Sequence, residues 1–213
     1  MTVPSQRIEI DRPVAVPAKG PRARTFRLMV EAASEMLREG GSPTVSEVAE
    51  RAGVSRSTAY RYFPTRDVMV RAVVAEALGP VLDWTPPDAG REARVASLFE
   101  TSFPRLLASE ATFRAALRQS LEHGDDAPPR GRRGRGHRIE LLELAITNTR
   151  RRPAGAADRR LAQALSLVFG VESIVVLKDI WGLGDDAVCE VALWTARALT
   201  RAAAEEKVEV RSE

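Results

Sequence analysis

Residues 43 to 67, PTVSEVAERAGVSRSTAYRYFPTRD, leave this chain little freedom in how it can fold. Thr44 is an N-cap residue with Glu47 three positions later, a capping box in which each side chain satisfies the other residue's backbone amide. Val45, Val48, Ala49 and Ala52 follow at helical spacing and make one apolar stripe. Gly53 stands where that helix must stop, because glycine enters positive φ without a Cβ clash. Val54, the one apolar residue of the turn, fits the angle between this helix and the next. Ser55 caps a second helix that runs from Arg56 to about Phe63, Pro64 ends it, and Thr65 caps a third. Two helices joined by a three- or four-residue glycine turn form a helix-turn-helix, whose second helix suits the major groove of duplex DNA.

The side chains offered by that second helix have the chemistry of a reader. Arg56, Ser57, Thr58 and Arg61 are hydrogen-bonding groups at its start and outer face, with Ser55 at its cap. Arginine bonds bidentately to guanine, and hydroxyls reach bases or phosphates. Thr44, Tyr60, Tyr62 and Arg66 suit phosphate oxygens, contacts that position a protein without reading sequence. The amides opening the helix after Thr65, beside the Arg66 guanidinium, form a further phosphate site. Asp67 weakens the field there and can equally cap its own backbone. Taken singly, each feature also suits the polar face of an ordinary helical domain. Capping box, turn glycine, hydroxyl-rich second helix and proline in this order point to DNA.

The segment resembles the DNA-binding domain of the TetR family of transcriptional regulators. Arg24, Phe26, Leu28, Ala32, Ala33, Leu37 and Gly41 are similar to the family's first helix and its exit. The likeness continues through Thr44, Val48, Ala49, Ala52 to Ser55, Thr58, Tyr60, Phe63 and Arg66. Ala59 stands where the family usually has leucine, Tyr62 where it has histidine and Arg66 where it has lysine, each keeping the size class or the donor. The resemblance implies an all-α fold of about nine helices. It divides the chain into an arm at 1–23, a helix-turn-helix domain at 24–70 and a ligand-binding, dimerising bundle at 71–213. It further implies a homodimer on a palindromic operator, an unknown small-molecule effector, and a repressor more than an activator.

Composition adds exclusions. The longest apolar stretch, Leu165 to Leu177, is interrupted by Ser166, Gly170, Glu172 and Ser173 and is too short for a membrane span. With no hydrophobic leader at the N-terminus, a cytoplasmic protein is expected. Cys189 is the only cysteine, so neither an intramolecular disulfide nor a cysteine-rich zinc site can form. His123 and His137 have no carboxylate at ligand spacing, and no nucleophile elbow, phosphate loop or HExxH pattern occurs. Neither catalytic residues, metal ligands nor a cofactor are expected. The net charge of +3 is modest for a nucleic-acid binder, so its distribution carries the argument. Lys19, Arg22 and Arg24 in the proline-rich leading segment can follow DNA. The run PPRGRRGRGHR at 128–138 reads as a solvated basic loop, with DNA or phosphate binding the alternative.

Beyond the head, periodicity predicts helices over 66–82, 91–109, 110–122, 138–150, 157–181 and 185–205, with a turn-rich linker at 84–90. Pro104 is expected to kink the helix over 91–109, and a kinked bundle is where an apolar pocket opens. Phe99, Phe103, Phe113 and Leu117 are the expected ligand contacts, with plain core the competing reading. The last two helices are apolar nearly all round and suit a partner's identical pair, since a two-fold interface buries the same patch twice. Two rivals remain at this stage: a small-molecule-binding or enzymatic helical protein with a vestigial DNA head, and an effector-free activator.

Overall fold

The structure, a computed structural model, describes residues 20–122, 136–149 and 155–209. The leading arm up to residue 19 and the basic run up to residue 135 lie outside the described residues. Every regular element among the described residues is helical.

Four helices form the head: α1 (Pro21–Arg38), α2 (Val45–Arg51), α3 (Arg56–Tyr62) and α4 (Arg66–Leu78). Along α1, Phe26, Met29, Val30, Ala33 and Leu37 repeat every three or four residues and are all buried. The turn after α2 closes as the sequence requires. Gly53 sits at φ 65°, its amide donates to the Glu50 carbonyl (3.1 Å), and Val54 donates to the Ala49 carbonyl (2.8 Å). This pair of bonds satisfies the carbonyls a helix end leaves open. Val54 packs on the head's own core, in which Phe26, Phe63, Met69 and Val48 are almost wholly buried. Phe26 and Phe63 approach to 5.4 Å between ring centres.

Predicted helix 66–82 stops earlier, at Leu78, and tightens into a 3₁₀ turn over Gly79–Asp83. Pro80 has no amide to continue an α-helix. The body follows as α5 (Arg91–Ala108), α6 (Glu110–Glu122), α7 (Gly136–Thr147), α8 (Ala156–Ser166), α9 (Val171–Val175) and α10 (Asp185–Glu209). α5 runs on through Pro104. Its inner face meets α7 and α10, and Phe99, Phe103 and Phe169 stack together at 5.6 and 5.0 Å. Arg94 reaches from α5 to the end of α7, where Nε donates to the Ala145 carbonyl (2.9 Å) and Nη2 to that of Ile146 (3.1 Å). Those carbonyls have no partner within their own helix, so the guanidinium closes it from outside.

The expected single helix over 157–181 is two. It breaks between Ser166 and Val171, where Gly170 adopts φ 145° and a Cβ would run into the Arg138 guanidinium. After α9 the chain widens into a π-helical segment, Val176–Ile180. The last helix extends past the expected 205, to Glu209. No single described helix is long and apolar enough to cross a membrane.

Candidate nucleic-acid interface

The helix-turn-helix is assembled by local chemistry. In α2, the Thr44 hydroxyl accepts from the Glu47 amide (3.2 Å), and the Glu47 carboxylate accepts from the Thr44 amide (2.7 Å) and hydroxyl (2.9 Å). The backbone amide of Thr44, followed by its hydroxyl, holds the Glu47 carboxyl below the usual carboxylate range. In α3, Ser55 accepts from the Thr58 amide (3.3 Å) and donates to the Thr58 hydroxyl (2.9 Å). Both caps hold their helices from the first turn, which is where an isolated seven-residue helix would fray.

α3 is two-faced. Ala59 and Phe63 are fully buried against the head core, whereas Arg56, Ser57, Tyr60 and Arg61 are exposed together on the opposite face. Ser55 and Thr44 are exposed beside them, and Thr58 is half-buried beneath its cap. The Tyr60 hydroxyl lies 3.2 Å from the Ser46 hydroxyl and ties α3 to α2. Arg61 lies over the Tyr62 ring, 5.9 Å from its centre. Arg56, Ser57, Tyr60 and Arg61 of α3 are thus presented to solvent.

Two of the residues expected at phosphates are partly engaged within the head. Tyr62 is half-buried, its ring edge-on to Phe26 at 6.3 Å and its hydroxyl donating to the Arg22 carbonyl (3.3 Å). Arg66 donates from Nη2 to the Ser42 hydroxyl, and its buried Nε has no hydrogen-bond partner among the described residues. Thr65 caps α4 by accepting from the Val68 amide (3.3 Å). The Asp67 carboxylate accepts from Gln119 of α6, so it faces the body.

The four expected ligand contacts belong to one apolar cluster of the body. Phe99, Phe103 and Phe113 are packed as core, whereas Leu117 lines a groove on the outer side of α6. Periodicity marks a residue as inward-facing, and cannot separate the wall of a cavity from a filled interior.

Sequence reasoning also passed over the ion network that joins α6 to the end of the bundle. Arg114 grips Asp179 with two bonds of 2.7 Å and Glu110 with a third of 2.7 Å. Lys178 bonds both Glu110 and Asp185, each at 2.7 Å. Burial pushes the Glu110 carboxyl upward, but its bonds from Lys178 and Arg114 outweigh that and hold it below the usual range. The Asp179 carboxyl is lowered chiefly by its bond from Arg114. Glu172, Lys178 and Asp179, three polar residues towards the end of the 157–181 stretch, thus all pair within the chain, Glu172 with Arg138 at 2.6 Å.

Comparison with known proteins agrees with this geometry. The family described as bacterial regulatory proteins, tetR family, matches residues 29–73, from mid-α1 through the helix-turn-helix into α4. The likeness to that family covers these residues of the head. The HTH-type transcriptional repressor LfrR of Mycolicibacterium smegmatis is 39% identical over 54 residues, 25% of this chain and 29% of LfrR. The match thus spans under a third of that relative's length. Likeness in fold extends further than the sequence match. A TetR transcriptional regulator from Rhodococcus sp. RHA1 superimposes with a TM-score of 0.59 at 20% identity, over 85% of this chain and 97% of that one. A Clostridium perfringens protein assigned to fatty acid metabolism regulation gives 0.52 at 18% identity, over 79% and 96%. At such identities the likeness is one of fold.

Proposed function

We propose that this chain is a homodimeric, ligand-responsive transcriptional regulator of the cytoplasm, a repressor that leaves a palindromic operator when a small molecule binds. The observation that carries the DNA-binding part is the capped α3 helix with Arg56, Ser57, Tyr60 and Arg61 on one exposed face and Ala59 and Phe63 anchoring the other. Side chains near the start of a recognition helix meet base edges, so Arg56 and Ser57 read sequence, with Thr58 and Arg61 beside them. Thr44, Ser55, Tyr60, Tyr62 and Arg66 hold the phosphate backbone and fix the register.

Dimerisation is supported by apolar surface at the end of the bundle. Ile180, Trp181 and Trp194 are 74%, 72% and 66% exposed, and Val176 and Val191 are exposed with them. Clustered large apolar side chains on a small helical body suit a second copy of the same surface. The reading puts the contact at Val176–Trp181 and α10, within the two predicted helices, rather than at α8, whose residues Leu161, Ala162 and Leu165 are buried in the body. Two heads related by a two-fold axis would address half-sites about 34 Å apart, one helical turn.

The test is retardation of DNA flanking the chain's own gene, with Arg56→Ala and Tyr60→Ala as controls. Retention that competes poorly with random DNA and is lost in both variants supports the reading. Absence of sequence-specific retention defeats it, and retention that no metabolite extract relieves favours an effector-free regulator.

A further inference from the structure

Tyr60 and Arg66, proposed above to hold phosphates, each have their tip bonded to a serine that belongs to another element. The Ser46 hydroxyl, on the first turn of α2, lies 3.2 Å from the Tyr60 hydroxyl of α3. The Ser42 hydroxyl, in the joint between α1 and α2, accepts from Nη2 of Arg66 at the start of α4.

The serines are the rigid partners. A serine hydroxyl stays close to its backbone, whereas the tips of tyrosine and arginine swing on longer stems and lose more freedom when fixed. The capping box of Thr44 and Glu47, with Val45 and Val48 buried, fixes how α2 is rotated and so where Ser46 points. Ser42 follows Gly41, whose amide donates to the Met36 carbonyl (3.0 Å) and whose missing Cβ would stand 2.8 Å from that same oxygen. The joint that carries Ser42 is therefore tightly closed on the end of α1.

Neither tip is used up by its serine. Each hydroxyl has one O–H, so the Ser46–Tyr60 bond takes one proton and leaves the other for an acceptor such as a phosphate oxygen. Tyr60 is 47% exposed, so that acceptor can reach the pair. Arg66 gives Ser42 one of the several N–H groups of its guanidinium, and the fork keeps others to donate.

We propose that Ser46 and Ser42 are positioning residues of the nucleic-acid interface, each setting the tip of a phosphate-holding side chain, Tyr60 or Arg66, before DNA arrives. The proposal deepens the DNA-binding reading and rests on it. Ordering a side chain with many rotamers weakens association, so a tip already held loses less on binding. Phosphate contacts carry no sequence information, so the serines strengthen binding to any duplex and leave base preference alone.

The test is a pair of double-mutant cycles on the full chain, read by fluorescence anisotropy with cognate and random duplexes well below the thermal midpoint. Ser46→Ala and Ser42→Ala are each expected to weaken both duplexes about threefold to tenfold. Ser46→Thr and Ser42→Thr should restore the parent affinity. With Tyr60→Phe or Arg66→Ala already in place, the matching serine-to-alanine change should weaken binding no further. Losses that add in full overturn positioning, because they mark a serine that meets DNA by itself or acts on the fold. No loss from alanine, or a loss that threonine does not recover, overturns it equally. Each serine stands or falls by its own cycle. A parent chain that binds no duplex overturns the DNA reading and this proposal with it, whereas binding with additive losses overturns this proposal alone.

Discussion

Single side chains at the caps decide whether the reading head forms. Thr44→Ala removes the hydroxyl that caps α2 and the partner of Glu47, and is expected to cost about 1 kcal/mol, read as a shift in the urea midpoint of unfolding. Arg56 and Arg66 should separate by function. Arg56→Ala is expected to change base preference across operator variants, while Arg66→Ala weakens cognate and random DNA alike and lowers the salt dependence. Arg66 also bonds Ser42, so its variant should lose some head stability too. Acid should act through Glu47 and Asp179, both held below the ordinary carboxylate range in the folded chain. A lowered folded-state value stabilises the fold above the ordinary carboxylate range and is lost as pH falls through it. Thermal midpoints should therefore drop as pH is taken from about 5 to about 3, and Glu47→Gln should flatten part of that slope. The Thr44–Glu47 contacts were readable beforehand because the partners lie three residues apart. The Arg114–Asp179 pair was not, since 65 residues separate its members and no local pattern joins them.

Among the helices, legibility followed the breakers. α6 begins and ends where periodicity places it, and α5 within a residue of it. The 157–181 stretch misled because its apolar residues continue across Phe169 and Val171 in helical phase, and a lone glycine between them signals no particular angle. What breaks the helix is tertiary: the Arg138 guanidinium, bonded to Glu172 and to the Ser166 carbonyl, occupies the space a side chain at 170 would need. Gly170→Ala is accordingly expected to cost about 1–3 kcal/mol, measured by chemical denaturation. The π-helical turn after α9 was equally hidden, because its composition is that of any amphipathic helix.

At the scale of the whole molecule the described residues form two apolar cores, one in the head and one in the body. Trp194→Glu places a charge in the proposed contact between copies and leaves both cores intact. It should give a monomer by light scattering and at least a tenfold loss of affinity for a two-half-site operator, with little change for a single half-site. The cores are not wholly separate, however. Ala115 belongs to α6 of the body by sequence, yet it is buried in the head's core with Met69, Ala72 and Val73 of α4. A head that completes itself with Ala115, well beyond its last helix, is not a free module. Grafted onto a foreign body, residues 20–78 would keep their caps and their reading face, but would fit only a host whose neighbouring helix offers a side chain as small as a methyl. An exchanged head would therefore need such a residue from its new body.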